Sequence, residues 1–210
     1  MIYMDMDKIY RDTPLNKLPW NYETPPESLI EIVKSGKIQP CNTIDLGCGT
    51  GNYALYFATK GFKVTGIDIS SIAVSIARKK ASEKGVDCRF LVKDVVGELN
   101  ESNEKYDFAY DWELLHHIFP EKRIRYVENV YKILNPEAKY LSVNFNEKDP
   151  CFGGQGKYRE TPLGTVLYFS SMKELKTLFE PFFKIIEIKT REIRGKPNPH
   201  IVNYVFMERK

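Results

Sequence analysis

The sequence has few of the features from which membrane, secreted and zinc-binding proteins are built. No apolar run approaches the ~18 residues that a transmembrane helix requires, and the first residues alternate apolar side chains with aspartates instead of forming a signal-peptide core. The four cysteines, Cys41, Cys48, Cys88 and Cys151, lie far apart without the C-x-x-C spacing of a zinc site or the density of a disulfide framework. We therefore expect a cytoplasmic protein with free thiols and no metal site.

A strong excess of one charge is also missing. The 31 basic and 28 acidic residues give a formal net charge of +3, and the lysines and arginines are interspersed with acids instead of forming a basic arm. Nucleic-acid-binding domains usually carry such an arm or stripe, so we expect no nucleic-acid partner. The 210 residues contain no repeat and no low-complexity segment, which is typical of one globular domain.

Short apolar runs alternate with helical periodicities through most of the chain. This alternation predicts an α/β protein with a mostly parallel sheet and helices on both faces. The expected strands are residues 42–46, 62–67, 87–92, 106–110 and 138–145, followed by an antiparallel pair at 182–190 and 201–207. The expected helices occupy residues 25–36, 52–60, 70–84 and 121–134, and a capping box of Ser171 and Glu174 begins a last one.

A glycine-rich turn, Gly47-Cys48-Gly49-Thr50-Gly51, connects the first strand to a helix. Glycines allow a tight turn and close approach of a ligand, and the start of the helix offers unpaired N–H groups. A dinucleotide pyrophosphate uses such donors. However, Asn52 replaces the last glycine of the G-x-G-x-x-G form, and the carboxylate of Asp45 repels phosphates but suits an ammonium group. The turn therefore favours a ligand with a methionine end.

Acidic residues also follow the next two strands. Asp68 ends the second strand, where a carboxylate can hold a ribose diol through two hydrogen bonds. Asp94 and Val95 follow the third strand, where they would contact the amino group and the ring of an adenine. Either aspartate alone is equally typical of a solvated turn. Their combination with the glycine-rich turn predicts an adenosine-containing ligand.

These motifs resemble those of the class I S-adenosylmethionine-dependent methyltransferases of small-molecule type. Residues 44–51 resemble the glycine motif of that family, 64–69 its second motif, 94–95 its third and 106–118 its fourth-strand motif. The resemblance covers about half the chain directly. It implies a Rossmann-like, seven-stranded sheet whose last strand is antiparallel, with S-adenosylmethionine as cofactor. The implied cofactor-binding residues are Trp20, Asp45, Gly47, Cys48, Gly49, Asn52, Asp68, Ile69, Asp94 and Val95.

Trp20 is included because the segment around it resembles the N-terminal segment of thiopurine- and thiol-type methyltransferases, which folds over the cofactor. An aromatic face beside a sulfonium is a cation–π contact. The alternative is that Trp20 only packs the N-terminal segment on the core.

Methyl transfer is an in-line displacement, for which a protein mainly supplies orientation and a dry site. A base is needed only if the nucleophile arrives protonated. The candidates at the end of the fourth strand are Asp111, His116 and His117. Adjacent side chains on a helical turn diverge by about 100°, so at most one histidine should face the substrate and the other should pack in the core.

The acceptor is expected to be a small molecule. The fourth strand leads into Tyr110-Asp111-Trp112-Glu113 and lacks the Asn/Asp-Pro-Pro-Tyr/Phe motif of enzymes that methylate nitrogens of nucleic acids and glutamines. Loops at the carboxyl end of a sheet carry specificity, so residues 149–165 should close the acceptor site. Phe152, Tyr158 and Arg159 are its candidate contacts, and Arg159 would suit an anion.

We expect one methyltransferase domain over residues 1–210, present as a monomer or homodimer. Residues 1–36 would form an N-terminal cap and helix, 43–145 the cofactor-binding core, 146–169 a substrate-side loop, and 170–210 the final helix and antiparallel strands. Two alternatives stay open. One is a non-catalytic sensor of S-adenosylmethionine, and the other is a nicotinamide-dependent dehydrogenase, which Asp45 and Asn52 disfavour.

Overall fold

Strands and helices alternate along the chain as the periodicity predicts. A computed structural model of the protein describes residues 6–97, 99, 103–196 and 198–210. Its strands are β1 (Asn42–Leu46), β2 (Lys63–Asp68), β3 (Arg89–Val92), β4 (Tyr106–Trp112), β5 (Leu134–Phe145), β6 (Tyr158–Glu160), β7 (Val166–Tyr168), β8 (Phe183–Ile193) and β9 (His200–Arg209). Its helices are α1 (Met6–Asp12), α2 (Glu27–Lys34), α3 (Asn52–Thr59), α4 (Ser71–Lys84), α5 (Pro120–Ile133) and α6 (Met172–Phe179).

Seven strands form one twisted sheet in the order β3-β2-β1-β4-β5-β9-β8. The first five strands of this sheet pair in parallel, and β9 runs antiparallel to both β5 and β8. The predicted seven-stranded Rossmann-like sheet with its last strand antiparallel is therefore confirmed. The strand order reverses between β1 and β4, and this places the carboxyl ends of β1 and β4 next to each other.

Helices cover both faces of the sheet because strands buried on two sides need an apolar layer on each. Buried side chains of α2, α3 and α4 form the core on one face, and those of α5 and α6 form it on the other. The smaller hairpin of β6 and β7 lies outside the main sheet, in the segment where a loop with short strands is predicted. Within the described residues, no helix is long and apolar enough to cross a membrane.

Polar residues set the ends of the helices. The Ser70 side chain accepts a hydrogen bond from the backbone N–H of Ala73 at the start of α4, and Gly85 ends that helix with a left-handed φ of 61°. The fifth strand differs from its prediction, because it begins at Leu134 instead of Ala138. Leu134 pairs with Tyr106, and an irregularity in register carries the strand past Pro136, which has no N–H to donate.

The predicted capping box at α6 offers a test of local stability. The Ser171 hydroxyl accepts from the backbone N–H of Glu174 at 3.2 Å, and the Glu174 carboxylate accepts from the backbone N–H of Ser171 at 2.8 Å. Ser171→Ala should therefore lower the free energy of unfolding by about 0.5–2 kcal/mol, measured by urea denaturation. Lys173→Ala, an exposed position of the same helix, is the control; an equal effect of the two would contradict the capping role.

Candidate active site

The predicted cofactor residues meet at the carboxyl ends of β1, β2 and β3, around a cavity of about 820 Å³ that also reaches the end of β4. Ligands of open α/β sheets bind where the strand order reverses, and the cavity lies at such a reversal. His117 lines it too, whereas Asp111 and His116 are not among its lining residues. The predicted cofactor residues that line it are Trp20, Asp45, Gly47, Cys48, Gly49, Asn52, Asp68, Ile69, Asp94 and Val95.

The glycine-rich turn is held against β2 and has no room for larger residues. The backbone N–H groups of Gly47 and Cys48 both donate to the carbonyl of Ile67, at 2.8 and 2.9 Å. A Cβ at Gly47 would lie 2.8 Å from a methyl carbon of Leu114, and φ there is +75°. The turn therefore requires glycine for its conformation and for its close packing.

Asp68 ties this turn to the start of α4. One oxygen of its carboxylate accepts from the backbone N–H of Gly49 at 2.8 Å, and the other accepts from that of Ser70 at 2.8 Å. Burial raises the pKa of Asp68, and the two backbone donors oppose that effect. Each carboxylate oxygen has a second lone pair, so both can still accept a hydrogen bond from a ligand.

Asp45 is the most deeply buried acid of the cavity, with 3% of its surface exposed. Burial, together with the neighbouring carboxylates of Asp68 and Asp111, raises its pKa to about 8. A cation placed beside the Asp45 carboxylate would favour its ionised form and lower its pKa. Asp94 differs because it is exposed, with its carboxylate accepting from the backbone N–H of Val96 at 2.9 Å.

Asn52 does more than replace a glycine. Its amide nitrogen donates to the side chain of Asn21 at 3.2 Å and to the carbonyl of Tyr22 at 2.9 Å. Its amide oxygen accepts from the ammonium group of Lys80 at 2.7 Å. Asn52 therefore joins the turn to the N-terminal segment. Sequence reasoning missed Asn21 and Lys80, because their partners are distant in the chain.

The N-terminal segment folds over the cavity as a cover, formed by residues 6–22. The indole N–H of Trp20 donates to the Tyr10 hydroxyl at 3.0 Å, and the Trp20 ring meets that of His117 edge-on at 6.5 Å between centroids. Tyr10 and Met6 of α1 line the same cavity. Trp20 thus packs on the N-terminal segment and also lines the cavity, so its contact with the cofactor stays a prediction.

Asp7 fixes the cover to α4. One of its oxygens accepts from the Ser70 hydroxyl at 2.5 Å and from the backbone N–H of Ile72 at 3.1 Å, and the other accepts from the Ser71 hydroxyl at 2.8 Å. These donors, with the Ser70 hydroxyl first, lower the pKa of Asp7. A carboxylate at the start of a helix also interacts favourably with the helix dipole.

The two adjacent histidines lie in different surroundings, as expected for neighbouring residues on a helical turn. His116 is buried, and its ring stacks on Phe145 at 4.1 Å between centroids. Burial lowers the pKa of His117 to about 4, so its imidazole is neutral at pH 7. The prediction that at most one of the two faces the ligand space fits this arrangement, and the geometry does not support His116 as a base.

Asp111 is likewise withdrawn into the core. It has no exposed surface, and one oxygen of its carboxylate accepts from the hydroxyls of Tyr126 at 3.2 Å and Tyr140 at 2.5 Å. Tyr126 belongs to α5 and Tyr140 to β5, and neither is among the residues that line the cavity. The geometry therefore does not support Asp111 as a base that contacts substrate, because its position at the strand end points it inward.

The prediction for Arg159 is wrong. Its guanidinium is buried and donates to the backbone carbonyls of Glu147, Asp149, Cys151 and Gly156. These bonds use four of the five N–H groups of the guanidinium and close the loop of residues 147–159, and Arg159 is not among the residues that line the cavity. Tyr158 does line the cavity, 5.5 Å from Phe119.

Phe152 packs away from the cavity. Its ring lies against those of Phe169 and His200, at 6.3 and 5.7 Å between centroids, and the structure does not place it among the residues that line the ligand space. A contact between Phe152 and the acceptor is therefore not supported by this arrangement.

Sequence reasoning missed Glu113 as a candidate. It directly follows β4, its backbone has a left-handed φ of 64°, and its side chain lines the cavity. Burial raises its pKa to about 7, and His200 opposes this effect. A carboxyl that changes charge near neutral pH is a common feature of functional sites. The signal was present, since an acid after the fourth strand stands at the edge where the other acids gather.

In the described part of the chain, one cluster of metal-ligand types lies outside the cavity lining. Asp149, Cys151 and His200 bring one ligand atom each within 4.8 Å of one another. The Asp149 oxygens already accept from the backbone N–H groups of Cys151 and Ile201, and burial raises the pKa of Cys151 to about 11. These contacts fix the loop, and we assign no metal function to them.

Comparison with known proteins identifies the family. A model of the methyltransferase domain matches residues 44–137. An uncharacterized methyltransferase of Schizosaccharomyces pombe is 30% identical over 118 residues, which are 56% of this chain and 80% of that protein. The chain belongs to the class I S-adenosylmethionine-dependent methyltransferases. Its cofactor is S-adenosylmethionine, and the nicotinamide alternative is thereby excluded.

Other relatives of this methyltransferase vary in chemistry. The 2-heptyl-1-hydroxyquinolin-4(1H)-one methyltransferase of Mycobacteroides abscessus is 26% identical over 61% of this chain, and the match spans only about half (56%) of that protein. A solved structure concerned with conversion of a disulfide bond into a thioacetal group during echinomycin biosynthesis has a TM-score of 0.83, 25% identity, and coverage of 98% of this chain and 91% of its own.

The same fold occurs in the 1,6-didemethyltoxoflavin-N1-methyltransferase of Burkholderia thailandensis. Its TM-score is 0.73 at 20% identity, over 98% of this chain and 86% of that chain. Its structure contains 1,6-didemethyltoxoflavin and S-adenosylhomocysteine.

The anchoring of the cover by Asp7 predicts an effect on cofactor affinity. Asp7→Ala should weaken binding of S-adenosylhomocysteine about three- to tenfold. Loss of a helix-capping carboxylate costs about 1 kcal/mol, and it detaches the N-terminal cover, which forms one wall of the cavity, from α4. Calorimetric titration measures this, with Asp12→Ala as control, an exposed acid of the same helix.

The Asp7 effect should also depend on pH. Its lowered pKa means that the contribution is complete above the ordinary pKa of an aspartate and is lost as the pH falls through the lower folded value. Equal affinities of wild type and Asp7→Ala at pH 7 would contradict the anchoring role.

Proposed function

We propose that this enzyme transfers a methyl group in line to a small molecule bound beside His117. The observation that carries the proposal is the composition of the cavity wall, in which the predicted cofactor residues are joined by aromatic and apolar residues from β4 to β7, with Glu113 and His117 among them. A volume of about 820 Å³ lies within the upper part of the range for small-molecule sites and suits two ligands.

The cofactor residues fit S-adenosylmethionine, which supplies an electrophilic methyl group on a sulfonium when bound. The carboxylate of Asp45 would pair with the ammonium group, and the free lone pairs of Asp68 would accept from the ribose hydroxyls. Asp94, Val95 and Ile69 would hold the adenine. Gly47, Cys48 and Gly49 would line the cofactor through their backbone, Trp20 would cover it, and Asn52 would act through the N-terminal cover.

His117 is the candidate catalytic residue that the cavity retains. Its neutral imidazole can accept a hydrogen bond from an acceptor, and the edge contact with Trp20 fixes its orientation. A conjugate acid with a pKa of about 4 holds a proton weakly at neutral pH. We therefore propose that His117 positions the acceptor, and that orientation supplies most of the rate enhancement.

The small-molecule acceptor is supported by the character of the relatives. The named relative methylates a hydroxyquinolone and one structural neighbour binds a toxoflavin precursor, so both handle fused heteroaromatic rings. The absence of a nucleic-acid partner, the cytoplasmic location, the monomeric or homodimeric state and the domain subdivisions stay predictions.

Asp45 provides a test of cofactor binding. Asp45→Asn should weaken S-adenosylmethionine binding about ten- to a hundredfold, since a hydrogen bond to a charged group contributes about 1.5–3 kcal/mol. The same change should raise the stability of the free protein at pH 8. A carboxyl whose folded pKa is raised to about 8 loses folding stability as the pH rises from its ordinary value to that point.

Titration calorimetry and thermal unfolding measure the two effects, and Asp87→Asn, an exposed acid, is the control. Weaker binding with no gain in stability at high pH would contradict the burial argument for Asp45. Unchanged binding would contradict its pairing with the ammonium group.

Product formation tests the function as a whole. Incubation of the enzyme and a metabolite extract with methyl-labelled S-adenosylmethionine should give a labelled small molecule and stoichiometric S-adenosylhomocysteine, both detected by mass spectrometry. Asp45→Asn should lose most of the label at low cofactor concentration. Cofactor binding without transfer to any fraction would favour the sensor alternative.

A further inference from the structure

Three polar groups of the cavity wall lack hydrogen-bond partners among the described residues. The hydroxyl oxygens of Tyr22 and Tyr53 are buried, and neither has a partner. The Glu113 carboxyl lines the same cavity, and no hydrogen bond to it is found within the described ranges. Buried hydroxyls are nearly always satisfied in proteins. The unmet groups therefore indicate a ligand that supplies their partners.

The backbone places Glu113 where it can serve such a ligand. Its N–H donates to the carbonyl of Val143 at 2.8 Å, which extends the β4–β5 pairing by one residue. Its left-handed φ of 64° then turns the chain sharply. Left-handed backbone is uncommon outside glycine and is often found at functional sites.

Aromatic rings form the walls next to these groups. The Tyr53 ring contacts Trp112 edge-on at 6.3 Å between centroids, and Phe119 contacts Tyr158 at 5.5 Å. All four residues line the cavity. Aromatic walls of this kind favour offset or edge contacts with a second flat ring.

We propose that Glu113, Tyr22 and Tyr53 form the acceptor subsite of this enzyme, for a planar aromatic molecule with an ionisable O–H or N–H. This inference rests on the proposed function and names its substrate class. The carboxylate of Glu113 accepts a hydrogen bond from that O–H or N–H, and the two hydroxyls bind the remaining polar atoms. When the acceptor ionises, its proton moves to the carboxylate, which becomes a carboxylic acid, and the acceptor becomes an anion.

The charges around Glu113 suit this role. Burial raises the pKa of Tyr22 and of Tyr53, and the charge of Glu113 acts in the same direction on both, so the three groups lie within electrostatic range of one another. His200 of β9 is the titratable group that lowers the pKa of Glu113, while Asp45 and Arg194 act on the two tyrosines. The result is a carboxyl near the midpoint of its titration at neutral pH, which suits proton exchange with an acidic O–H or N–H.

The test uses matched ring probes on the protein saturated with S-adenosylhomocysteine. The probes are 1-naphthol and 2-naphthol, each compared by titration calorimetry with its O-methyl ether, which has the same ring but no donor. Wild type should bind each donor probe about ten- to a hundredfold more tightly than its ether, as expected for a hydrogen bond to a charged acceptor.

Glu113→Gln should remove that preference, and Tyr53→Phe should reduce it. Glu160→Gln, an exposed carboxyl outside the cavity, should behave as wild type. The preference of wild type should grow as the pH rises through about 7, where the carboxyl of Glu113 ionises, and Glu113→Gln should show no such rise.

Three results would each overturn the subsite. They are equal binding of donor and ether by wild type, no binding of any probe, and a preference for the donor that is retained in Glu113→Gln. S-adenosylhomocysteine affinity and thermal unfolding of every variant show whether the fold is intact. Loss of S-adenosylhomocysteine binding in wild type would instead count against the proposed function, so the two failures are distinguishable.

Discussion

The parallel register of β1 with its two neighbours is the constraint on which the site depends. Asp45 lies opposite Gly66 of β2 on one side and Tyr110 of β4 on the other. Because parallel strands end at the same edge, this register brings the acids that follow β2 and β4 to the edge where the glycine-rich turn begins. A shift by one residue would reverse the faces of all these side chains.

Long-range polar contacts hold the cover over that edge. Asp7 accepts from residues at the start of α4, and Asn21 is held by Thr50 and Asn52. From the opposite side, the ammonium group of Lys196 donates to carbonyls of the N-terminal segment at residues 16, 18 and 21. The cover is thus held by these polar contacts together with a small apolar cluster that it forms with α4.

The fold and the cofactor end of the cavity could be predicted from sequence because their signals are local. A strand, a glycine turn and an acid at the next strand end are each visible within a few residues. The acceptor end depends on side-chain direction instead. Asp111 and Glu113 are two residues apart, but the turn in the backbone after β4 leaves one in the core and the other in the cavity.

Arg159 shows the same limit in another form. Its charge alone suggested an anion site, but four backbone carbonyls lie closer to it than any ligand space. The carbonyls of this loop need hydrogen-bond donors, and the guanidinium of Arg159 supplies them. A single sequence does not show which carbonyls need a donor. The relation between Asn52 and the N-terminal cover was hidden for the same reason.

The burial of Asp45 has a further thermodynamic consequence. With a pKa of about 8, this carboxyl is mostly protonated at neutral pH in the free enzyme. The ammonium group of the cofactor can pair with the Asp45 carboxylate only when that proton leaves. The cofactor and the proton therefore compete for the same carboxylate. Cofactor uptake then releases protons to the buffer, and its observed heat would change with the ionisation enthalpy of the buffer. The enzyme would consequently hold its cofactor more firmly in mildly alkaline than in acidic surroundings.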